Sequence, residues 1–271
     1  MLHTTAYCTH TALDHERHDD EPVSYRTAEE PAGMEPWANK AILLDLRIPS
    51  KLTSLTALNE NWKNFVQNAI SMFRLASDFA FPGTMTKWRL HPQLFRTKST
   101  SESAWIAPFR HELLDVYTQL NQAISSGNVK LMTKLTAYEY QEHAFRLLQR
   151  SVSRASETGC TYSWSLTKLL SPVKIVSLRV FPLYHAIEEP NHGNRNCVQA
   201  LARFETMQTL TVRDSHGQIL RPDGAVAEEG YTPEPRRVLE YLICENKMFY
   251  SDGWYIRGQM FEGVKPKFKD V

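Results

Sequence analysis

After Gly159 the chain becomes a succession of runs rich in β-branched and aromatic residues, at 161–168, 173–185, 197–213, 237–250 and 253–260. Compact turn signals separate them: Ser171-Pro172, His192-Gly193-Asn194, Asp214-Ser215-His216-Gly217, Pro233-Glu234-Pro235 and Ser251-Asp252-Gly253. Connections this short demand antiparallel neighbours, because a parallel pair needs a crossover of roughly a dozen residues or more. Helical patterns precede the runs. The expected fold class is therefore α+β, with helices packed on one face of an antiparallel sheet.

Three helices are expected. Over 59–80, Trp62, Phe65, Val66, Ala69, Ile70, Phe73, Ala76 and Ala80 recur at helical spacing. Lys63, Asn64, Gln67, Asn68, Ser71, Arg74 and Asp78 fall largely on the other face, and Pro82-Gly83 supplies a stop. This stripe fits two placements. It either packs on the domain's own core or lies on a bilayer interface, where Trp and Phe sit well. A second helix is expected from Trp105 to Ser125 and a third from Val129 to Ser153. Gly127 between them suits a left-handed C′ position and Asn128 an N-cap, which makes an αα-hairpin.

The whole-chain charge of +1 hides an asymmetry. Residues 1–36 carry two arginines against eight acids, and the body carries 29 basic and 22 acidic residues. Residues 1–40 lack apolar periodicity and read as a disordered acidic tail, followed by a 41–104 segment and a 105–265 domain. A modestly basic body suits either a plain solvated surface or an anionic partner such as RNA or lipid. Two places concentrate that charge. Residues 84–104 hold Lys87, Arg89, Arg96 and Lys98 among Trp88, His91 and Phe95. Arg146, Arg150 and Arg154 recur every four residues along the third helix. Both are candidate phosphate contacts, with an ordinary surface loop and a solvated helix face as the plain alternatives.

Chemistry-bearing constellations are weak. The four cysteines, Cys8, Cys160, Cys197 and Cys244, have no metal-ligand spacing and suggest reduced thiols. His3, His10, His15 and His18 match no standard metal site. His185 with Glu188 and Glu189 could form a base pair but runs into a polar turn. Tyr162, Trp164, Tyr184 and Asp252 could line the mouth of a curved sheet. No catalytic set, metal or cofactor is expected.

The ordered runs Tyr162-Ser-Trp-Ser165, Gln208-Thr-Leu-Thr-Val-Arg-Asp214, His216-Gly-Gln-Ile-Leu220, Val238-Leu-Glu-Tyr-Leu-Ile-Cys-Glu245 and Gly253-Trp-Tyr-Ile-Arg257 are more specific. Together they resemble the family of the membrane-facing mitochondrial large-ribosomal-subunit protein number forty-five. That family includes the fungal inner-membrane mitoribosome receptor, and it shares a domain with the forty-four-kilodalton tether of the inner-membrane import motor. The resemblance spans roughly residues 105–262. It implies helices on a curved, cone-shaped sheet of the nuclear-transport-factor type, and no catalysis. It implies a matrix protein peripheral on the inner membrane, near the ribosomal exit tunnel. The implied partners are the large subunit, inner-membrane lipids and the membrane insertase.

Trp164, Asp214, Gly217, Glu240, Tyr241 and Trp254 carry over as fold-determining residues. The acidic 1–36 segment departs from the basic composition of an import segment, so the expected location rests on the carboxy-terminal domain. On this reading Lys87, Arg89, Arg96, Lys98, Arg146, Arg150 and Arg154 contact RNA or anionic lipid, and Trp62, Phe65, Phe73 and Phe79 face the membrane. The import-motor tether and a small-molecule enzyme of the cone-shaped fold are the alternatives.

Overall fold

The structure, a computed structural model, describes residues 44–50, 54–81 and 91–262. The expected tail at 1–40, the Pro82-Gly83 stop and the candidates Lys87 and Arg89 lie outside the described residues. Four helices pack on a curved antiparallel sheet: α1 (Leu55–Ser77), α2 (Ala107–Ser125), α3 (Val129–Leu135) and α4 (Tyr138–Thr158). A 3₁₀ turn at Pro92–Phe95 lies between α1 and α2. The strands are β1 (Thr161–Pro182), β2 (Asn196–Arg213), β3 (Ile219–Leu220), β4 (Arg236–Lys247) and β5 (Tyr255–Met260). Their order is β1-β2-β4-β5, with β3 pairing the end of β2, and all pairings are antiparallel. The fold is α+β.

Alternation decides which face meets the helices. Val198, Ala200, Ala202 and Phe204 of β2 point to the same side as Leu242 and Cys244 of β4 and Ile256 of β5. They join Met72 and Leu75 of α1, Phe109, Leu113, Tyr117 and Leu120 of α2, and Ala144 and Leu148 of α4 in one core. The opposite face is crossed by residues 44–50, whose Leu46 is buried with Val176, Leu201, Tyr241 and Ile243. Beside that strap, Glu245 accepts from Gln199 Nε2 at 2.7 Å and from Arg257 and Tyr255, a buried charge whose hydrogen bonds are met by neighbours.

Two expected elements differ. The runs 161–168 and 173–185 form one strand, because Ser171-Pro172 is absorbed as a bulge rather than a turn. The register shifts between Leu169/Ser171 and Ser171/Lys174. β1 is an edge strand, where the missing N–H of Pro172 removes no ladder bond. The single helix expected over 129–153 is two. Thr136 pairs with Ile256 and the Ala137 N–H donates to Ile256 O at 3.0 Å, so β5 captures the backbone and breaks the helix. The hairpin signal reads as expected: Gly127 has φ +71°, and Asn128 Oδ1 accepts from Leu131 N at 3.0 Å.

Candidate functional site

The defining feature is the way α1 sits. Its N-cap Ser54 accepts from Ala57 N, a favourable start. The helix then buries three residues of its polar face. Asn64 and Asn68 are 1% and 3% exposed, and Ser71 is buried beside them. Their partners are backbone groups of the β1 edge. Asn64 Nδ2 donates to Val176 O at 2.9 Å, Asn68 Oδ1 accepts from Leu178 N at 2.8 Å, and Ser71 Oγ donates to Leu178 O at 3.0 Å. Arg74 Nη1 donates to Val180 O at 3.0 Å. The two amide oxygens also receive the Arg179 guanidinium, at 2.9 Å each, and burial pushes that group down to about 10, leaving it a cation.

An edge strand needs something to occupy its outward N–H and C=O groups. Here side chains of a helix replace the missing strand.

The consequence is an apolar face turned outward. Trp62 is 61% exposed and Phe79 69%, and Leu55, Leu58, Phe65, Val66, Ile70 and Phe73 are exposed between or beside them. Sequence spacing that is compatible with packing on the core therefore marks a solvent-facing stripe, with Met72, Leu75 and Ala76 as the apolar attachment of the helix. Trp62 and Phe65 stack at 5.5 Å, and Phe65 stacks on the exposed Phe95 at 5.9 Å. Phe79 closes the helix with φ +54°, a left-handed conformation that favours glycine. Its N–H donates to Ala76 O, and Ala80 N donates to Leu75 O. All four expected membrane-facing residues, Trp62, Phe65, Phe73 and Phe79, are exposed.

The basic candidates divide into two groups. Arg96 and Lys98 are exposed just beyond Phe95, at the Trp62–Phe65 end of the stripe, and partial burial lowers the Lys98 ammonium. Arg146, Arg150 and Arg154 are exposed on α4, which packs against β5 at the other edge of the sheet. Burial first, and then the field of Arg146 and Arg150, lowers the His143 imidazole. Glu139, Glu142 and Glu157 lie on the same helix face by the 100° step, so the ridge is basic only over its middle two turns.

The pocket candidates do not converge. Tyr184 packs on Phe249 and Asp252 is exposed at a turn, while Trp164 lies far along the sheet. Tyr162 borders an open groove of about 570 Å³ with Ser125, Ser126, Ser151 and Ser156, between the ends of α2, α4 and the start of β1. His185, Glu188 and Glu189 belong to an exposed loop.

Sequence reasoning missed a network on the helix side of the sheet. Tyr117 donates to Glu240, Gln208 Nε2 donates to the Tyr117 hydroxyl, and Trp164 Nε1 donates to Gln208 Oε1 at 2.9 Å. Burial raises the Glu240 carboxyl, against the lowering effect of the Tyr117 bond. Trp164 and Glu240 thus fix α2 to the sheet. Among the other residues carried over, Asp214 Oδ1 accepts from His216 N and Gln218 N in the β2–β3 turn. Trp254 meets Phe109 edge-on at 5.3 Å.

No helix among the described residues is long and apolar enough to cross a membrane. No protein-family model matches the chain, and no curated protein matches it. Among solved structures, the intermembrane-space region of the chloroplast protein ARC6 overlays 57% of this chain and 94% of its own, at 10% identity and a TM-score of 0.31. A likeness that weak carries no functional argument.

Proposed function

We propose that this protein is a non-catalytic tether that holds the mitochondrial large ribosomal subunit against the inner membrane from the matrix side. The observation that carries the reading is the inverted α1. A helix whose polar face is held by the sheet can give its whole aromatic face to a bilayer interface without leaving the domain. An exposed stripe running the length of a long helix is more than the scattered apolar residues of an ordinary surface.

The second half of the tether is the α4 ridge. α1 lies on the β1 edge and α4 on β5, which supports a reading in which lipid and ribosomal RNA take different surfaces. Arg146, Arg150 and Arg154 supply three sites for phosphate oxygens. The ordered strand and turn runs that resemble the mitoribosomal family support the same assignment, with delivery of nascent chains to the membrane insertase as the implied purpose.

Fractionation of mitochondria tests the reading. The protein is expected in carbonate extracts, and to co-sediment with the large subunit at low salt and separate from it as salt rises. Sedimentation with neither ribosome nor membrane at low salt contradicts it.

A further inference from the structure

A serine-rich run borders the exposed aromatic end of α1. Phe65 stacks on Phe95 at 5.9 Å, and the chain continues from Phe95 as Arg96-Thr97-Lys98-Ser99-Thr100-Ser101-Glu102-Ser103. This run is a pair of turns. Ser99 N donates to Arg96 O at 2.9 Å, and Ala104 N donates to Ser101 O at 3.2 Å. Leu94 and Thr97 are buried and pin the first turn to the domain, while Phe95, Arg96 and Lys98 are exposed around them.

Ser99 is the serine that this geometry couples to the stripe. Its side chain is partly exposed, and its Oγ accepts from Ser101 N at 3.2 Å, a local bond. The Ser101 and Ser103 hydroxyls instead bond each other at 2.9 Å. Glu102 turns to α2, where it pairs with Arg110 at 3.3 Å and His111 at 2.8 Å. Arg96 stands three residues before Ser99 and Lys98 one residue before it. Arginine-directed serine kinases read that spacing through acidic pockets that take the guanidinium.

The basic side chains described at this end are Lys63 beside Trp62, Arg96 and Lys98, all exposed. Glu60, two residues before Trp62, is ion-paired with Arg47. Resting on the membrane reading above, we propose that Ser99 is a phosphorylation site whose modification releases the Trp62–Phe65–Phe95 end from anionic phospholipid. In the reaction Ser99 Oγ attacks the terminal phosphorus of a nucleoside triphosphate. The Oγ–P bond forms as the bond to the nucleoside diphosphate breaks, and the hydroxyl proton passes to the kinase's carboxylate base. The phosphoryl group brings a charge of about −1.5 to −2 at pH 7. It stands beside Lys98 in the turn closed on Arg96, inside the Debye length of about 8 Å at physiological salt. Most of the positive charge that draws this end to anionic headgroups is thereby cancelled. The aromatic stripe itself is unaltered, so its contact with neutral lipid remains.

The full chain is incubated with ATP and a calmodulin-dependent serine kinase, an arginine-directed enzyme. The modified residue is located by tandem mass spectrometry. Binding is then read by sedimentation with phosphatidylcholine vesicles, with and without phosphatidylglycerol. Phosphate is expected on Ser99. Binding to the anionic vesicles is expected to weaken roughly ten- to twenty-five-fold, at about fivefold per unit of charge, and binding to phosphatidylcholine alone to stay unchanged. Ser99→Ala should bind as wild type does and lose the response to the kinase. Absence of phosphate at Ser99, or phosphate there with unaltered affinity for anionic vesicles, overturns the switch and leaves the membrane reading standing. Absence of binding by the unmodified protein to either vesicle overturns the membrane reading itself and the switch with it.

Discussion

Replacing Asn68 by leucine tests the inverted helix most sharply, because the ordinary view of an amphipathic helix gives the opposite answer. Asn68→Leu adds apolar area at a site 3% exposed and improves helix propensity by a few tenths of a kcal/mol. An ordinary core-facing position should therefore tolerate it or gain. Here the substitution strips the Leu178 N–H of its 2.8 Å acceptor, inside a contact that water does not reach. It also removes the 2.9 Å bond from Arg179 Nη1, leaving that nitrogen with Leu178 O. An unpaired buried N–H costs about 1–3 kcal/mol, and a lost bond to a charged group about 1.5–3 kcal/mol. Net destabilisation of about 3 kcal/mol follows, or a fall in Tm of roughly 6–12 °C for a domain of this size.

Urea unfolding followed by circular dichroism measures it, with Ile70→Gln as the companion. Ile70 is 59% exposed on the outward stripe, so its replacement is expected to stay within about 0.5 kcal/mol of wild type. If Asn68→Leu is neutral and Ile70→Gln costs about 2 kcal/mol or more, α1 packs through its apolar face and the reasoning fails.

Phe79→Gly relieves a left-handed backbone held by a residue whose ring is mostly in solvent, so thermal unfolding should show about 1 kcal/mol of added stability. Glu240 has a raised carboxyl, so the fold favours its neutral form. Its contribution is fully present below the ordinary glutamate range and is lost as pH rises through the raised value. Glu240→Gln should therefore flatten stability against pH over that window in urea titrations run from acid to neutral, and an unchanged slope counts against the burial assigned to it. Charge reversal at Arg146, Arg150 and Arg154 should lower the dependence of log affinity on log salt by about two to three in ribosome binding, and an unaltered slope removes α4 from the interface.

The sheet was legible because β-branched runs alternate and their turns are short. The helix pair was legible because Gly127 and Asn128 each have one clear local role. Thr136 was not legible as a break, since its partner Ile256 lies 120 residues away and captures it through backbone alone. Ser171-Pro172 misled because a proline at an edge-strand bulge has the same sequence signature as a turn.

The outward face of α1 was half legible. Periodicity marks two faces but not which one is buried. The usable signal was Asn64, Asn68 and Ser71 at helical spacing, a row of hydrogen-bonding groups short enough to meet a strand edge. The Tyr117–Gln208–Glu240 network joins three elements far apart in sequence and had no local signal.

Flotation of purified mitochondrial large subunits with liposomes of inner-membrane composition tests the tether directly. The subunits are expected to float when this protein is present and to remain at the bottom without it. Either Phe65→Ser with Phe73→Ser, or charge reversal at Arg146, Arg150 and Arg154, is expected to abolish flotation. Subunits that stay at the bottom of the gradient in the presence of folded wild-type protein contradict the tether.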